Sequence, residues 1–157
     1  MRILLVKPKA RLQTVLGLER FQRLEPLELG YLAAALPPEH QVRVLDLRLY
    51  RFADHAFKRE LARFQPDLVG FTAYSHESGI MKRLAGMVRR LLPNARIVVG
   101  GHHATVAPTD CNVPAIDYIV RGEGCAPFRA LVAALARGAE PEGIPSLLFA
   151  GERFDQE

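Results

Sequence analysis

The chain has 157 residues, 49% of them hydrophobic and 24% charged, with a net charge of +4. That length suits one domain with an ample core, and the charge bias is too small to establish a nucleic-acid partner. No apolar run approaches the roughly 20 residues that span a bilayer. The opening Met1-Arg2-Ile3-Leu4-Leu5-Val6 meets Lys7 and Pro8 too soon to be a signal peptide. Cys111 and Cys125 stand in unrelated contexts and form no CxxC pair. This disfavours structural zinc and iron–sulfur ligation and predicts a reducing, cytoplasmic setting with no membrane partner.

Ile3 to Val6 is an unbroken apolar run, the pattern of a strand buried on both faces. The connection over 7–25 is long for a strand-to-helix link, and reads either as a binding loop or as a partly helical insertion. Leu29, Leu32, Ala33 and Leu36 then recur at helical spacing until Pro37-Pro38 stops them. Val42-Arg43-Val44-Leu45-Asp46 is less uniformly apolar and reads as an edge strand. A helix carrying Phe57, Leu61 and Phe64 leads to Leu68-Val69-Gly70-Phe71, a second buried run. Ile80, Leu84, Met87, Val88 and Leu91 mark a helix closed by Pro93, and Ile97-Val98-Val99 is the next buried run. Tyr118-Ile119-Val120 follows, then a helix with Phe128, Leu131, Val132 and Leu135. Ser146-Leu147-Leu148-Phe149 reads as a further edge strand running into the turn at Ala150-Gly151. The chain stops at Asp155-Gln156-Glu157 without a closing helix, and is read as a domain of a longer protein.

Strands alternating with helices predict an α/β fold with right-handed crossovers. The expected form is a flavodoxin-like (Rossmann-like), doubly wound parallel sheet in the order 2-1-3-4-5, with an extra edge strand at the C-terminus. In such sheets ligands sit beyond the carboxyl ends of the strands. The residues after those ends are Lys7 and Pro8; Thr72, Ala73, Tyr74, Ser75 and His76; Gly100, Gly101, His102 and His103; and Gly122, Glu123 and Gly124.

Each of these has a plain reading beside a functional one. Gly100-Gly101 admits close approach of a bulky group, or serves a turn with positive φ. Gly122-Glu123-Gly124 offers amides to an anion or ribose hydroxyl, or is an ordinary strand-to-helix turn. His102 and His103 point opposite ways on an extended segment, which does not favour a joint metal site. Cys125 stands near a helix start, where a thiol pKa can fall, although a small buried hydrophobe is the commoner fate. Glu123 has no visible partner that would tune it as a base. Neither GxGxxG after the first strand nor GxxxxGK[ST] occurs, which disfavours ordinary dinucleotide and P-loop sites.

Several pieces occur in a telling order: Ile3-Leu4-Leu5-Val6, Pro26-Leu27-Glu28-Leu29-Gly30-Tyr31-Leu32-Ala33-Ala34, and Asp67-Leu68-Val69-Gly70-Phe71-Thr72. They are followed by Val99-Gly100-Gly101-His102-His103-Ala104-Thr105 with Pro108, and Asp117-Tyr118-Ile119-Val120-Arg121-Gly122-Glu123-Gly124. Together they resemble the N-terminal cobalamin-binding domain of cobalamin-dependent radical S-adenosylmethionine enzymes. Magnesium-protoporphyrin monomethyl ester anaerobic cyclases and radical methyltransferases are among these. The methionine-synthase type of module carries DxHxxG after the first strand, where this chain has Lys7-Pro8-Lys9-Ala10-Arg11. The resemblance is therefore to the class that often lacks that ligand.

The resemblance implies that residues 1–157 hold cobalamin. The corrin would lie across the strand ends, and the nucleotide tail in a slot opened by Thr72, Ala73, Gly100 and Gly101. Lys7, Pro8, His102, Gly122, Glu123 and Gly124 complete the expected binding set. Tyr74, Ser75 and His76 fall nearest the lower face. No metal ligand is expected, His76 being the one residue able to reach cobalt if its loop folds back. A 4Fe-4S cluster and S-adenosylmethionine belong to a downstream radical domain of the same chain, because no CxxxCxxC occurs here. A flavodoxin-like interaction or signalling module and a nucleotide-sugar or flavin binder are the competing readings. A receiver domain needs an acidic pair where Lys7-Pro8 stands. Gly101→Val is expected to block the tail while leaving the fold largely intact.

Overall fold

The computed structural model describes residues 1–9 and 25–151. The expectations for the long 7–25 connection fall mostly outside these residues, as does the chain end after Gly151. Six strands form one sheet: β1 (Arg2–Lys7), β2 (Gln41–Asp46), β3 (Leu68–Thr72), β4 (Arg96–Gly100), β5 (Tyr118–Val120) and β6 (Leu147–Phe149). Their order is β2-β1-β3-β4-β5-β6. The first five are parallel, and β6 adds antiparallel to β5. The expected order and edge positions are therefore found, and the C-terminal edge strand is present.

The helices are α1 (Leu27–Ala34), α2 (Ala53–Phe64), α3 (Ser78–Leu91), α4 (His102–Val106), α5 (Pro108–Cys111) and α6 (Cys125–Ala136). Because β-strand side chains alternate between faces, the central strands feed two cores. Leu4, Val6, Val69 and Phe71 pack with α2 and α3 through Phe57, Leu61 and Leu84. Ile3, Leu5, Leu68 and Val98 pack on the other face with α1 and α6 through Leu29, Phe128 and Leu131. Each fully buried Leu or Phe stabilises the fold by about 1.5–3 kcal/mol.

The two edges of the sheet differ in chemistry. At the amino edge, carboxylates fix the strand starts: Asp67 accepts from the Arg2 backbone N–H at 2.7 Å, and Asp117 accepts from that of Ile97 at 2.7 Å. Arg89 also reaches Asp117, at 2.7 Å. The carboxyl edge carries glycines, aromatics and histidines, and it opens into a cleft. Among the described residues, no helix is long and apolar enough to cross a membrane.

Candidate functional site

The cleft has a volume of about 370 Å³ and lies between the sheet and the α1/α6 layer. Leu5, Gly70, Thr72, Val98, Gly100 and Val120 make its sheet wall. Glu28, Leu29, Tyr31 and Leu32 line it from α1, and Cys125 and Phe128 from α6. Gly101, Gly122, Glu123 and Gly124 bound it where the strands end. The size falls within the range of small-molecule pockets, about 300–1,000 Å³.

Glycines border the cleft in different ways. A Cβ on Gly70 would stand 2.9 Å from Leu5 Cδ2, 3.6 Å from Val98 Cγ1 and 3.9 Å from Phe128 Cε2. The missing side chain at position 70 thus lets Leu5, Val98 and Phe128 close in over mid-strand, where they line the cleft with Gly70. At the opposite wall a Cβ on Gly124 would meet Leu32 Cδ2 at 3.5 Å. Gly100 is different again: its added Cβ would find only Val120, at 3.7 Å or more.

Gly101 serves the backbone rather than the space. Its φ of 91° and ψ of −168° lie where only glycine is at ease. A Cβ there would come within 2.6 Å of Thr72 Oγ1 and 3.3 Å of the Ala73 backbone nitrogen. Gly101→Val therefore strains the turn itself, and the expectation that this variant spares the fold is corrected. The reason is the adjacent strand end, which packs against the turn.

Beside the cleft, three aromatic rings form an exposed patch over the ends of β3 and β4. Tyr74 stacks with His76 at a centroid separation of 6.0 Å and 6° between planes, and tilts against His102 at 6.0 Å. A buried ion pair supports the patch from below. Lys7 Nζ lies 2.9 Å from Glu77 Oε2, with both side chains 5% exposed or less. The same Glu77 oxygen accepts the Tyr74 backbone N–H at 2.9 Å, and Lys7 Nζ lies 4.5 Å from the centre of the Tyr74 ring. Glu77 thus ties the end of β1 to the loop after β3.

A second polar chain lies alongside. His102 and His103 open a helix instead of an extended segment; His102 is exposed while His103 is buried. His103 Nε2 is 2.7 Å from Asp110 Oδ2, and its Nδ1 is 3.2 Å from Ser75 Oγ. Lys82, at 2.8 Å, and His103 hold the Asp110 carboxyl well below its ordinary range, at about 2. His103 is thereby committed to fixing the loop after β3.

Glu123 does have partners. Its carboxylate accepts the Cys125 backbone N–H at 2.6 Å and that of Ala126 at 3.4 Å. These amides at the start of α6 lower its pKa. The Cys125 thiol moves the other way from a reactive cysteine: burial, then the neighbouring Glu123 carboxylate, raises its pKa.

The structure brings Thr72, Gly100, Gly101, Gly122, Glu123 and Gly124 together around the cleft. Lys7, Tyr74, Ser75, His76 and His102 belong to the adjoining patch and its support. Pro8 is buried after β1. Ala73 packs into the α2/α3 core, so its side chain does not open the slot. His76 is exposed. Gly70 and the α1 wall escaped the sequence reading, although a glycine inside an apolar strand is itself a sign of close approach. Among the described residues, no cluster of three His, Cys, Asp or Glu side chains is placed to hold a metal ion.

A glycine-bordered cleft at the carboxyl edge of a 2-1-3-4-5 parallel sheet is the setting in which the family comparison is decisive. The model of the B12 binding domain matches residues 13–132. The chain belongs to the B12-binding domain family. It is 34% identical to an uncharacterized methyltransferase of Pyrococcus horikoshii over 95% of this chain and 32% of the relative. It is 32% identical to the hopanoid C-3 methylase of Methylococcus capsulatus over 94% of this chain and 28% of that protein. With the anaerobic magnesium-protoporphyrin IX monomethyl ester cyclase of Synechocystis it shares 30% identity, over 95% and 30% of the two chains. The B12-binding chain thus spans about a third of the length of these relatives. The cobalamin-dependent S-adenosylmethionine radical enzyme OxsB, solved with aqua-cobalamin and S-adenosylmethionine bound, shares the fold. The TM-score is 0.73 at 20% identity, covering 96% of this chain and 21% of OxsB.

Proposed function

We propose that this domain holds cobalamin with its nucleotide tail in the cleft and its corrin across the Tyr74–His76–His102 patch. The observation that carries the reading is the cleft at the carboxyl edge of the sheet, bordered by Gly70, Gly100 and Gly124 and walled by apolar side chains. A flat, largely apolar group fits such a slot, and a broad macrocycle fits the exposed aromatic patch beside it. Glu123 and the glycines around it lie where the tail would leave the cleft. Lys7, Glu77 and His103 act beneath the surface, with Asp110 at the surface anchoring His103, and keep the loop after β3 in place. Tyr74, Ser75 and His76 are the residues nearest the lower face of the ring. In this reading cobalt takes no strong protein ligand, because no histidine follows the first strand.

We further infer that residues 1–157 are one domain of a longer cobalamin-dependent radical enzyme, a methyltransferase or cyclase. A downstream domain of the same chain would supply the 4Fe-4S cluster and S-adenosylmethionine. Bound cobalamin supplies the carbon–cobalt chemistry, and this chain binds and orients it. The experiment is reconstitution of the full chain with hydroxocobalamin followed by gel filtration. Stoichiometric comigration of corrin absorbance with protein is expected, and its loss in Gly100→Leu. Absence of corrin from the folded wild-type peak would refute the reading.

A further inference from the structure

We infer that the cleft selects among cobamides by their lower base, taking bases with few polar atoms and rejecting purines. The inference rests on the reading that the nucleotide tail enters this cleft, and it adds a specificity that the fold alone does not dictate.

Among the described residues, the apolar walls are Leu5, Leu29, Leu32, Val98, Val120 and Phe128. Five of the six are buried, and Leu32 is half-buried. The strand backbone behind them is committed to the sheet, with Gly70 in register between Leu5 and Val98. Three of the polar side chains lining the cleft, Glu28, Tyr31 and Glu123, are exposed, which puts them toward its mouth. Glu123 is moreover engaged with the amides of Cys125 and Ala126. Thr72 contributes a hydroxyl on the buried sheet wall, on the same side of β3 as Gly70, and half-buried Cys125 adds only a thiol, a weak donor, from α6.

Dimethylbenzimidazole, displaced from cobalt, offers one free ring nitrogen and two methyl groups, a demand that one hydroxyl can meet. An adenine base brings an amino group and three free ring nitrogens. Most of these would leave water for apolar surroundings without a partner, each at a cost. A phenolic base such as p-cresol has no ring nitrogen to satisfy. An apolar pocket discriminates against an added polar group by roughly 100-fold at most, which sets the scale.

The test uses the full chain and three cobamides in the Co(I) state, which is four-coordinate, so the base is off cobalt in every case. Anaerobic ultrafiltration reads the bound fraction of cobalamin, adeninylcobamide and p-cresolylcobamide. The adenine form is expected to bind about 10- to 100-fold more weakly than cobalamin, with the cresol form within about threefold of cobalamin. Leu32→Gln places an amide on the half-buried wall and is expected to narrow the adenine ratio. Equal affinity for adeninylcobamide and cobalamin, or an unchanged ratio in folded Leu32→Gln, overturns the inference while leaving the cobalamin reading standing. Failure of all three cobamides to bind would instead strike the reading on which it rests.

Discussion

Two neighbouring glycines do different work, and substituting each separates the cleft from the fold. Gly100 follows Val98 on the α1/α6 face of β4, and a Cβ there meets nothing closer than 3.7 Å. Gly100→Val therefore costs little in folding; valine suits a strand better than glycine, by up to about 1 kcal/mol. Its two methyl groups enter the cleft. Gly101 has a φ of 91°, and its Cβ would lie 2.6 Å from Thr72 Oγ1. Gly101→Ala brings backbone strain of about 1–3 kcal/mol, and for a domain of this size each kcal/mol lowers Tm by about 2–4 °C. The assay is thermal unfolding by circular dichroism on both variants, paired with cobalamin retention on gel filtration. Gly100→Val is expected to keep its Tm within about 2 °C and to lose most of its cofactor. Gly101→Ala is expected to lose about 2–12 °C. Wild-type cobalamin affinity in Gly100→Val, or an unshifted Tm in Gly101→Ala, would refute this division of roles.

Three further outcomes follow from the polar network. Lys7→Met leaves the Glu77 carboxylate buried without its cation and is expected to cost about 3–5 kcal/mol in urea denaturation. Lys7→Met with Glu77→Leu should recover much of that loss, and a double variant as unstable as the single would contradict the pairing. Asp110 has a folded pKa of about 2 against an ordinary 3.8. Its stabilising interactions are thus complete above pH 4 and lost as the pH falls toward 2. Asp110→Asn should flatten the acid limb of the stability profile in that window, and an unchanged limb would count against the Lys82–Asp110–His103 cluster. Cys125, its thiol pKa raised by burial and by Glu123, should react with iodoacetamide at pH 8 more slowly than free cysteine. Glu123→Gln should speed that reaction, and an equal rate would show that Glu123 does not act on the thiol.

Most of the fold is legible in the sequence because parallel strands buried on both faces leave unbroken apolar runs, as at Ile3–Val6 and Ile97–Val99. Their alternation with helical stripes leaves few topologies, and the carboxyl edge then follows from the chain direction. What is not legible depends on pairings distant in sequence. Lys7 and Glu77 lie 70 residues apart and meet only because β1 and β3 are neighbours. His103 reaches Asp110 because the chain breaks at Ala107 between α4 and α5. The α1 stripe announced a buried face, but not that Leu32 and Tyr31 would border a cleft. Gly70 hid within an apolar run whose neighbours satisfied the strand pattern on their own.

Cobalamin with its tail in the cleft and no protein nitrogen on cobalt is the proposed bound state. Electron paramagnetic resonance of the full chain reconstituted with cobalamin and reduced to the Co(II) state tests it most directly. The expected spectrum is that of bound, base-off cob(II)alamin without nitrogen superhyperfine splitting. Splitting that persists when both His76 and His102 are replaced by alanine would show the cofactor's own base still on cobalt and the cleft unfilled. Splitting that vanishes in His76→Ala, with the cofactor still bound, would show a histidine ligand and contradict the account.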